Sequence, residues 1–275
     1  MTDIGLIAGR GRLPFDVIEE IKLRDCQPVV IGLRGEVDPE LSKIAARYIT
    51  IAPGFLGEMI EYFQKSNVKE LVFAGKVGKE ALFTEGFDLF FQGILKNLPV
   101  KNDDAILGAI VNAFEENGLK VAKQTDYLHN LMISPGSLNG VISEAELADI
   151  HLGFQMAKAS GGLDIGQSVV VKQGVVLAVE AIEGTDQAII RGGQLGGPGS
   201  VVVKVSKPNQ DERFDVPTIG RTTLESMIQV KAAILGIEAQ KTIMTQKAEI
   251  IKLAAEHGIK IIALTEADIS TVINK

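Results

Sequence analysis

Asp3-Ile4-Gly5-Leu6-Ile7-Ala8-Gly9-Arg10-Gly11-Arg12-Leu13-Pro14 decides the fold of this chain. Six residues of buried-strand character run into a glycine turn. Pro14 then suits the first turn of a helix, where a missing N–H costs nothing. Phe15, Ile18, Ile21 and Leu23 continue as a helical stripe. The same alternation repeats outward: strands at Pro28–Ile31, Tyr48–Ile51, Glu70–Ala74 and Leu119–Ala122, with helices around Phe55–Phe63 and from Asn102 to Phe114, the last stopped by Gly118. Alternating strands and helices predict a mostly parallel sheet covered on both faces.

Residues 80–98 read as a phenylalanine-rich helix, as core or as an apolar groove. Ser134-Pro135-Gly136-Ser137 marks a turn cluster and a domain boundary. Beyond it the pattern changes. A helix over Glu144–Ala159 precedes a hairpin of Val169–Val171 with Val175–Val179 across the three-residue loop Lys172-Gln173-Gly174. A glycine-rich loop is expected over Gly192–Gly199. Thr222 and Glu225 predict a capping box, and Ile243-Met244, Ile250–Ala255 and Ile259–Leu264 complete the alternation. The fold class expected is α/β: an N-terminal Rossmann-like parallel-sheet domain over 1–133 and a C-terminal mixed α/β domain over 134–275, the latter carrying the chemistry.

At 275 residues the chain can bury two ordinary cores. A net charge of −7 leaves no basic surplus to neutralise phosphates along a nucleic acid. The single cysteine, Cys26, excludes an internal disulfide and a thiolate metal cluster, and reads as a buried thiol. The three histidines lack metal-ligand spacing. No window approaches a membrane span, and the chain enters its first strand without signal-peptide features, so a cytoplasmic location is expected.

Chemistry-bearing residues concentrate at strand ends. Gly9-x-Gly11 with Leu13 is half of a dinucleotide fingerprint. The third glycine position is Pro14 and no acid ends the second strand, so a phosphate cradle is favoured over a nicotinamide site, with a purely structural turn as the alternative. Gly75-Lys76-x-Gly78 follows the fourth strand, with Lys76 as a point-charge phosphate contact. Asp103 and Asp104 open a helix as caps or as ligand-binding acids. The densest stretch is Val179–Gly220. Glu180, Glu183, Thr185 and Asp186 form an acidic turn, and Lys204 interrupts a valine strand as an edge gatekeeper or a pocket charge. Lys207, Gln210, Asp211 and Arg213 follow, then Asp215-Val216-Pro217-Thr218. Pro217 biases Val216 toward extended geometry and so aims Asp215. Lys204, Lys207 and Arg213 would neutralise a diphosphate while carboxylates hold Mg²⁺ or water.

IAGRGRLP, FAGKVGK, EAIEGTDQAIIR and VKVSKPNQDERFDVPTIG resemble, in order, the UDP-2,3-diacylglucosamine pyrophosphatases of lipid A synthesis, the class distinct from calcineurin-like metallophosphoesterases. The resemblance covers nearly the whole chain. It implies Mg²⁺-dependent hydrolysis of UDP-2,3-diacylglucosamine to UMP and 2,3-diacylglucosamine 1-phosphate, between two domains that close around it. It places the catalytic aspartate at Asp215, with Gln210, Asp211, Arg213, Pro217, Thr218 and Gly220 at the other positions of the same signature. Together with the charge pattern this gives the expectation that Asp215 and Asp211 hold metal, that Lys204 and Arg213 bind the phosphates, and that Gly9, Gly11, Leu13, Gly75, Lys76, Asp104, Thr185, Asp186, Lys207, Gln210 and Thr218 bind substrate. The acylated substrate implies transient contact with the cytoplasmic face of the inner membrane. A homo-oligomer, a nucleotide-sugar transferase and a regulatory nucleotide-binding module remain as alternatives.

Overall fold

The computed structural model describes residues 2–78, 86–99 and 103–273. The chain divides into two compact units, Met1–His129 with Glu212–Phe214, and Asn130–Asp211 with Asp215–Lys275.

In the first unit the alternation anticipated from sequence is a five-stranded parallel sheet. Its strands are β1 (Asp3–Ala8), β2 (Gln27–Leu33), β3 (Arg47–Ile51), β4 (Glu70–Ala74) and β5 (Lys120–Val121), in the order β3-β2-β1-β4-β5. Its helices are α1 (Leu13–Leu23), α2 (Leu41–Ile44), α3 (Leu56–Lys65), α4 (Leu89–Asn97), α5 (Asp103–Glu116) and α6 (Gln124–Leu128). β1 is flanked by β2 and β4 in parallel register, so the chain reverses its direction of sheet building between β1 and β4. Ligands of open α/β sheets bind at such a switch point. The core gathers Val29, Ile31, Phe63, Leu71, Phe91 and Phe114. Phe214, far along the sequence, is buried in the same cluster.

Of the phenylalanine-rich stretch expected over 80–98, residues 79–85 lie outside the described residues, and the helix spans only Leu89–Asn97. Asp88 begins it, its carboxylate accepting the Phe91 N–H at 2.7 Å. Phe91 is core, whereas Leu89 and Phe90 are exposed. Cys26 is half-buried rather than buried.

The second unit is built on a six-stranded mixed sheet of order β6-β13-β11-β9-β7-β8. Its strands are β6 (Gly136–Asn139), β7 (Ser168–Lys172), β8 (Val175–Val179), β9 (Val201–Lys204), β11 (Ile234–Glu238) and β13 (Lys260–Leu264). β10 (Thr218–Ile219) and β12 (Ile243–Met244) form a separate parallel pair. The helices are α7 (Glu144–Gly162), α8 (Thr185–Gly196), α9 (Arg221–Gln229), α10 (Lys247–Glu256) and α11 (Glu266–Ile273). Successive strand residues point to opposite faces. Val201 and Val203 accordingly pack with Ile150 and Phe154 of α7, and Val202 with Ile189, Leu224 and Met227 on the other face.

Four local expectations change. The hairpin joins Lys172 to Val175 directly across Gln173 and Gly174, so its loop has two residues. Both carry positive φ, 51° and 76°, which lets the turn follow the strand twist. The glycine-rich loop expected over Gly192–Gly199 is instead mostly the second half of α8. A Cβ on Gly192 would lie 2.5 Å from Val170 Cβ and one on Gly193 2.3 Å from Val230 Cβ, so these glycines let a helix pack closely. Thr222 does not cap α9. Gly220 is the N-cap without a side-chain bond, and Glu225 pairs instead with Arg221 at 2.8 Å. A capping box stands instead at the start of α7, Ser143 with Glu146. Finally, β9 lies between β11 and β7, so Lys204 is no edge gatekeeper.

Candidate active site

The first unit presents two glycine loops at the carboxyl ends of neighbouring strands. Gly9 follows β1 and Gly75 follows β4, and the loops are laced together. The Arg10 N–H donates to the Lys76 carbonyl at 2.8 Å and the Lys76 N–H to the Arg10 carbonyl at 2.9 Å. A Cβ on Gly9 would meet the Lys76 carbonyl oxygen at 2.4 Å. One on Gly75, where φ is +95°, would meet the Gly9 carbonyl carbon at 2.7 Å. These two glycines are thus demanded by loop against loop. Gly11, at φ +99°, has open space where a Cβ would sit. Leu13 opens α1 half-buried, and Lys76 is exposed. Asp104 lies in the first turn of α5; its side chain is outside the described residues.

An acid does serve this cradle, although none ends β2. Glu36, 8% exposed, pairs with Arg10 Nε at 2.8 Å and accepts the Gly78 N–H at 2.8 Å. It stands three residues past β2, beyond Gly35, rather than at the strand end itself. Nearby, Asp16 in the first turn of α1 pairs with Arg12 at 3.1 Å. Burial lifts its carboxyl above the usual range, an effect Arg12 only partly opposes.

Arg213 belongs to the first unit. Phe214 is buried in that core, the Gln124 N–H donates to the Glu212 carbonyl at 2.7 Å, and Lys123 pairs with Glu212 at 2.7 Å. Arg213 itself pairs with Glu115 at 3.1 Å.

The second unit gathers Lys204, Thr185 and Thr218. Lys204 ends β9 only 7% exposed. Strand alternation places it on the face of Val202, toward α8. Its Nζ donates to Thr185 Oγ1 at 3.3 Å and to the Thr218 carbonyl at 3.2 Å. Thr185 opens α8, and its hydroxyl donates to Glu180 Oε1 at 2.8 Å. A hydroxyl has one proton, so with that proton on Glu180 the oxygen is left to accept from Lys204 and from Ser168 Oγ at 3.4 Å. Asp186, also in the first turn of α8, accepts the Thr223 hydroxyl of α9 at 3.4 Å. Neither α8 nor α9 has a side-chain cap, and both begin after glycine, at Gly184 and Gly220. A buried ammonium beside a helix N-terminus is suited to a phosphoryl group. Glu183 takes a hydrogen bond from Arg191, which holds its carboxyl below the usual range.

The loop after β9 carries the other candidates. Lys207 donates to Asp164 Oδ1 at 2.6 Å, and Gln210 closes a turn by donating its N–H to the Lys207 carbonyl at 3.2 Å. Asp211 is half-buried. Asp215 is exposed and follows buried Phe214 in the left-handed region at φ 56°, a conformation aspartate tolerates better than most residues. After it, Thr218 Oγ1 donates to the Val216 carbonyl at 3.0 Å around Pro217. Among the described residues, no group of three or more His, Cys, Asp or Glu side chains is disposed to hold a metal ion.

A two-unit α/β protein with a glycine cradle at one switch point and a buried lysine at the carboxyl end of a central strand is the class these features define. Residues 3–131 match the model of the LpxI N-terminal domain and residues 135–262 that of the LpxI C-terminal domain. The chain belongs to the LpxI family. It is similar to the "UDP-2,3-diacylglucosamine pyrophosphatase LpxI" of Caulobacter vibrioides, 29% identical over 276 residues, covering 96% of this chain and 98% of the relative. It is an enzyme of the hydrolase class that acts on anhydrides. Among solved structures, a UDP-glucose-4-epimerase of Stenotrophomonas maltophila matches 43% of this chain and 35% of its own, at 10% identity and a TM-score of 0.31. A biotin carboxylase domain of a thermophilic 2-oxoglutarate carboxylase matches 62% and 34%, at 14% identity and a TM-score of 0.27. Likeness at that level bears on neither fold nor function.

Proposed function

We propose that this protein hydrolyses the diphosphate of UDP-2,3-diacylglucosamine, releasing UMP and 2,3-diacylglucosamine 1-phosphate in lipid A biosynthesis. The substrate is taken from the relative matched from end to end. One observation in the molecule supports a diphosphate site: the Lys204 ammonium, buried at a strand end against the first residue of α8. A diphosphate concentrates negative charge, and its hydrolysis adds more to the bridging oxygen as the bond breaks. Lys204 and the α8 N-terminus neutralise phosphoryl oxygens there, in a setting less screened than water. Thr185, its proton committed to Glu180, holds Lys204 in place. Asp215 orients the attacking water and takes up its proton. In the first unit, taken by itself, the loop of Gly11 before α1 is suited to an anion.

The carboxylate set suits Mg²⁺ in one way. This ion is commonly held by one or two carboxylates together with phosphate oxygens rather than by a full protein cage. Asp215 and Asp211 would be its protein ligands, and bound there it would withdraw charge from the diphosphate. The acyl chains would bring the enzyme to the membrane surface, and no helix of the described residues is long and apolar enough to cross a membrane.

Purified protein incubated with UDP-2,3-diacylglucosamine should release UMP with Mg²⁺ and not with excess chelator. Release of intact UDP, or a requirement for a second acceptor, would sink the reading in favour of a transferase.

A further inference from the structure

The most deeply buried carboxylate of the second unit takes no part in the chemistry above. Glu238 ends β11 and is 1% exposed. Its Oε2 accepts the Ser206 N–H at 2.9 Å. Lys158, on α7, donates to the Ser206 carbonyl at 2.9 Å and to the Glu238 carboxylate at 2.8 and 2.7 Å. Both backbone groups of one residue are thus held by two opposite charges that also hold each other. Lys241 adds a contact to Glu238 at 2.9 Å, and Glu266 accepts from Lys241 at 2.8 Å and faces Lys158 at 3.5 Å.

Stability alone does not account for this arrangement. Burying two ions is costly, and an apolar pair of similar volume would join α7 to β11 as well or better. An apolar pair would not, however, satisfy a peptide. Ser206 is 4% exposed and lies past the end of β9, where the strand ladder no longer serves its N–H and carbonyl. It also has a particular place, two residues after Lys204 and one before Lys207, where the chain leaves the sheet toward Asp215.

We propose that Lys158 and Glu238 form a backbone clamp on Ser206 that positions Lys204, at the end of β9, for the diphosphate. They are positioning residues, acting on the substrate only through the segment they hold. The proposal rests on the diphosphate site read above.

The test compares Lys158→Met, Glu238→Ala and Glu238→Gln in the full chain. Two measurements are made below each variant's melting temperature: UMP release, and hydrogen exchange of the Ser206 and Lys207 amides. Glu238→Gln keeps an acceptor for the Ser206 N–H and should stay near wild-type turnover. Lys158→Met and Glu238→Ala should lose about 100-fold in kcat, the scale of a displacement of about an ångström, with little change in KM. In Glu238→Ala, where the Ser206 N–H loses its acceptor, the two amides should exchange faster. Should Glu238→Ala not fold, Lys158→Met carries the comparison, because Lys241 still pairs with Glu238. Folded Lys158→Met with wild-type kcat overturns the proposal while leaving the activity in place. Wild-type protein that releases no UMP overturns the diphosphate reading instead. Exchange then decides the clamp: unchanged protection of the Ser206 amide in Glu238→Ala, or in the double variant Lys158→Met with Glu238→Leu should Glu238→Ala not fold, rejects it, and lost protection upholds it.

Discussion

The two units answer one physical demand with opposite materials. At the carboxyl ends of β1 and β4 the first unit offers backbone: Gly9 and Gly75 are pressed so close that any side chain would strike a neighbouring loop. At the end of β9 the second unit offers a side-chain charge, Lys204, buried and held by hydroxyl and carbonyl oxygens. Backbone N–H groups make a cradle of fixed shape with a weak field. A buried ammonium makes a strong field whose aim depends on what holds the side chain. The first kind of site should fail by steric disruption and the second by loss of charge, largely without loss of fold.

The largest break should come at Asp215. Asp215→Asn keeps a residue that tolerates the left-handed corner but removes the carboxylate. UMP release should fall about 10²–10⁴-fold, the range expected for loss of a general base, with substrate binding retained in a calorimetric titration. Wild-type turnover in this variant would remove Asp215 from the chemistry. Next is Lys204→Met, expected to lose about 10²–10³-fold in kcat, as for deletion of one stabilising donor. Its melting temperature should hold or rise, because a desolvated charge has been removed. A parallel fall in both would mean that Lys204 holds the fold rather than the substrate.

The first unit should respond the other way. Gly9→Ala forces a Cβ against a backbone carbonyl and should destabilise by about 1–3 kcal/mol, as overpacking does. A shifted urea midpoint would register it. Activity should fall only as far as the cradle is disturbed. The smallest effect concerns His151, 6% exposed on α7. Burial holds its pKa below the ordinary 6.5, with Asp268 opposing weakly. The unfolded chain therefore binds the proton more readily, and stability is full above pH 6.5 and declines as pH falls below it. His151→Phe should flatten that part of the stability curve. An unchanged slope would assign the decline to other groups.

The contrast also explains what could be read from the chain. β1, β4 and β8 lie where apolar runs and turn residues place them, and β7 is one residue longer at each end, because strand signals are local. The glycine loops after β1 and β4 were legible for the same reason, since glycines after a strand have a local cause. Gly192 and Gly193 misled. In sequence, helix glycines that admit a close neighbour look like a loop, and only Val170 and Val230 show the difference. Thr222 misled similarly, because Gly220 begins α9 before the threonine can cap it. Glu36, Lys158 and Glu238 carried no signal. Each is an ordinary charged residue until strands distant in sequence bring it to Arg10 or Ser206.

Periodicity, glycine placement and the density of charge over 179–220 were thus enough to determine a doubly built α/β chain whose charged and glycine-rich residues concentrate in its second half. The tertiary structure alone decided that Lys204 lies inside the second unit against Thr185, and that Arg213 and Phe214 pack with the first unit while Asp215 is counted with the second. The physical reason is range. Propensity and turn chemistry act over a few residues, whereas burial of a charge or an aromatic ring is set by whatever part of the chain covers it.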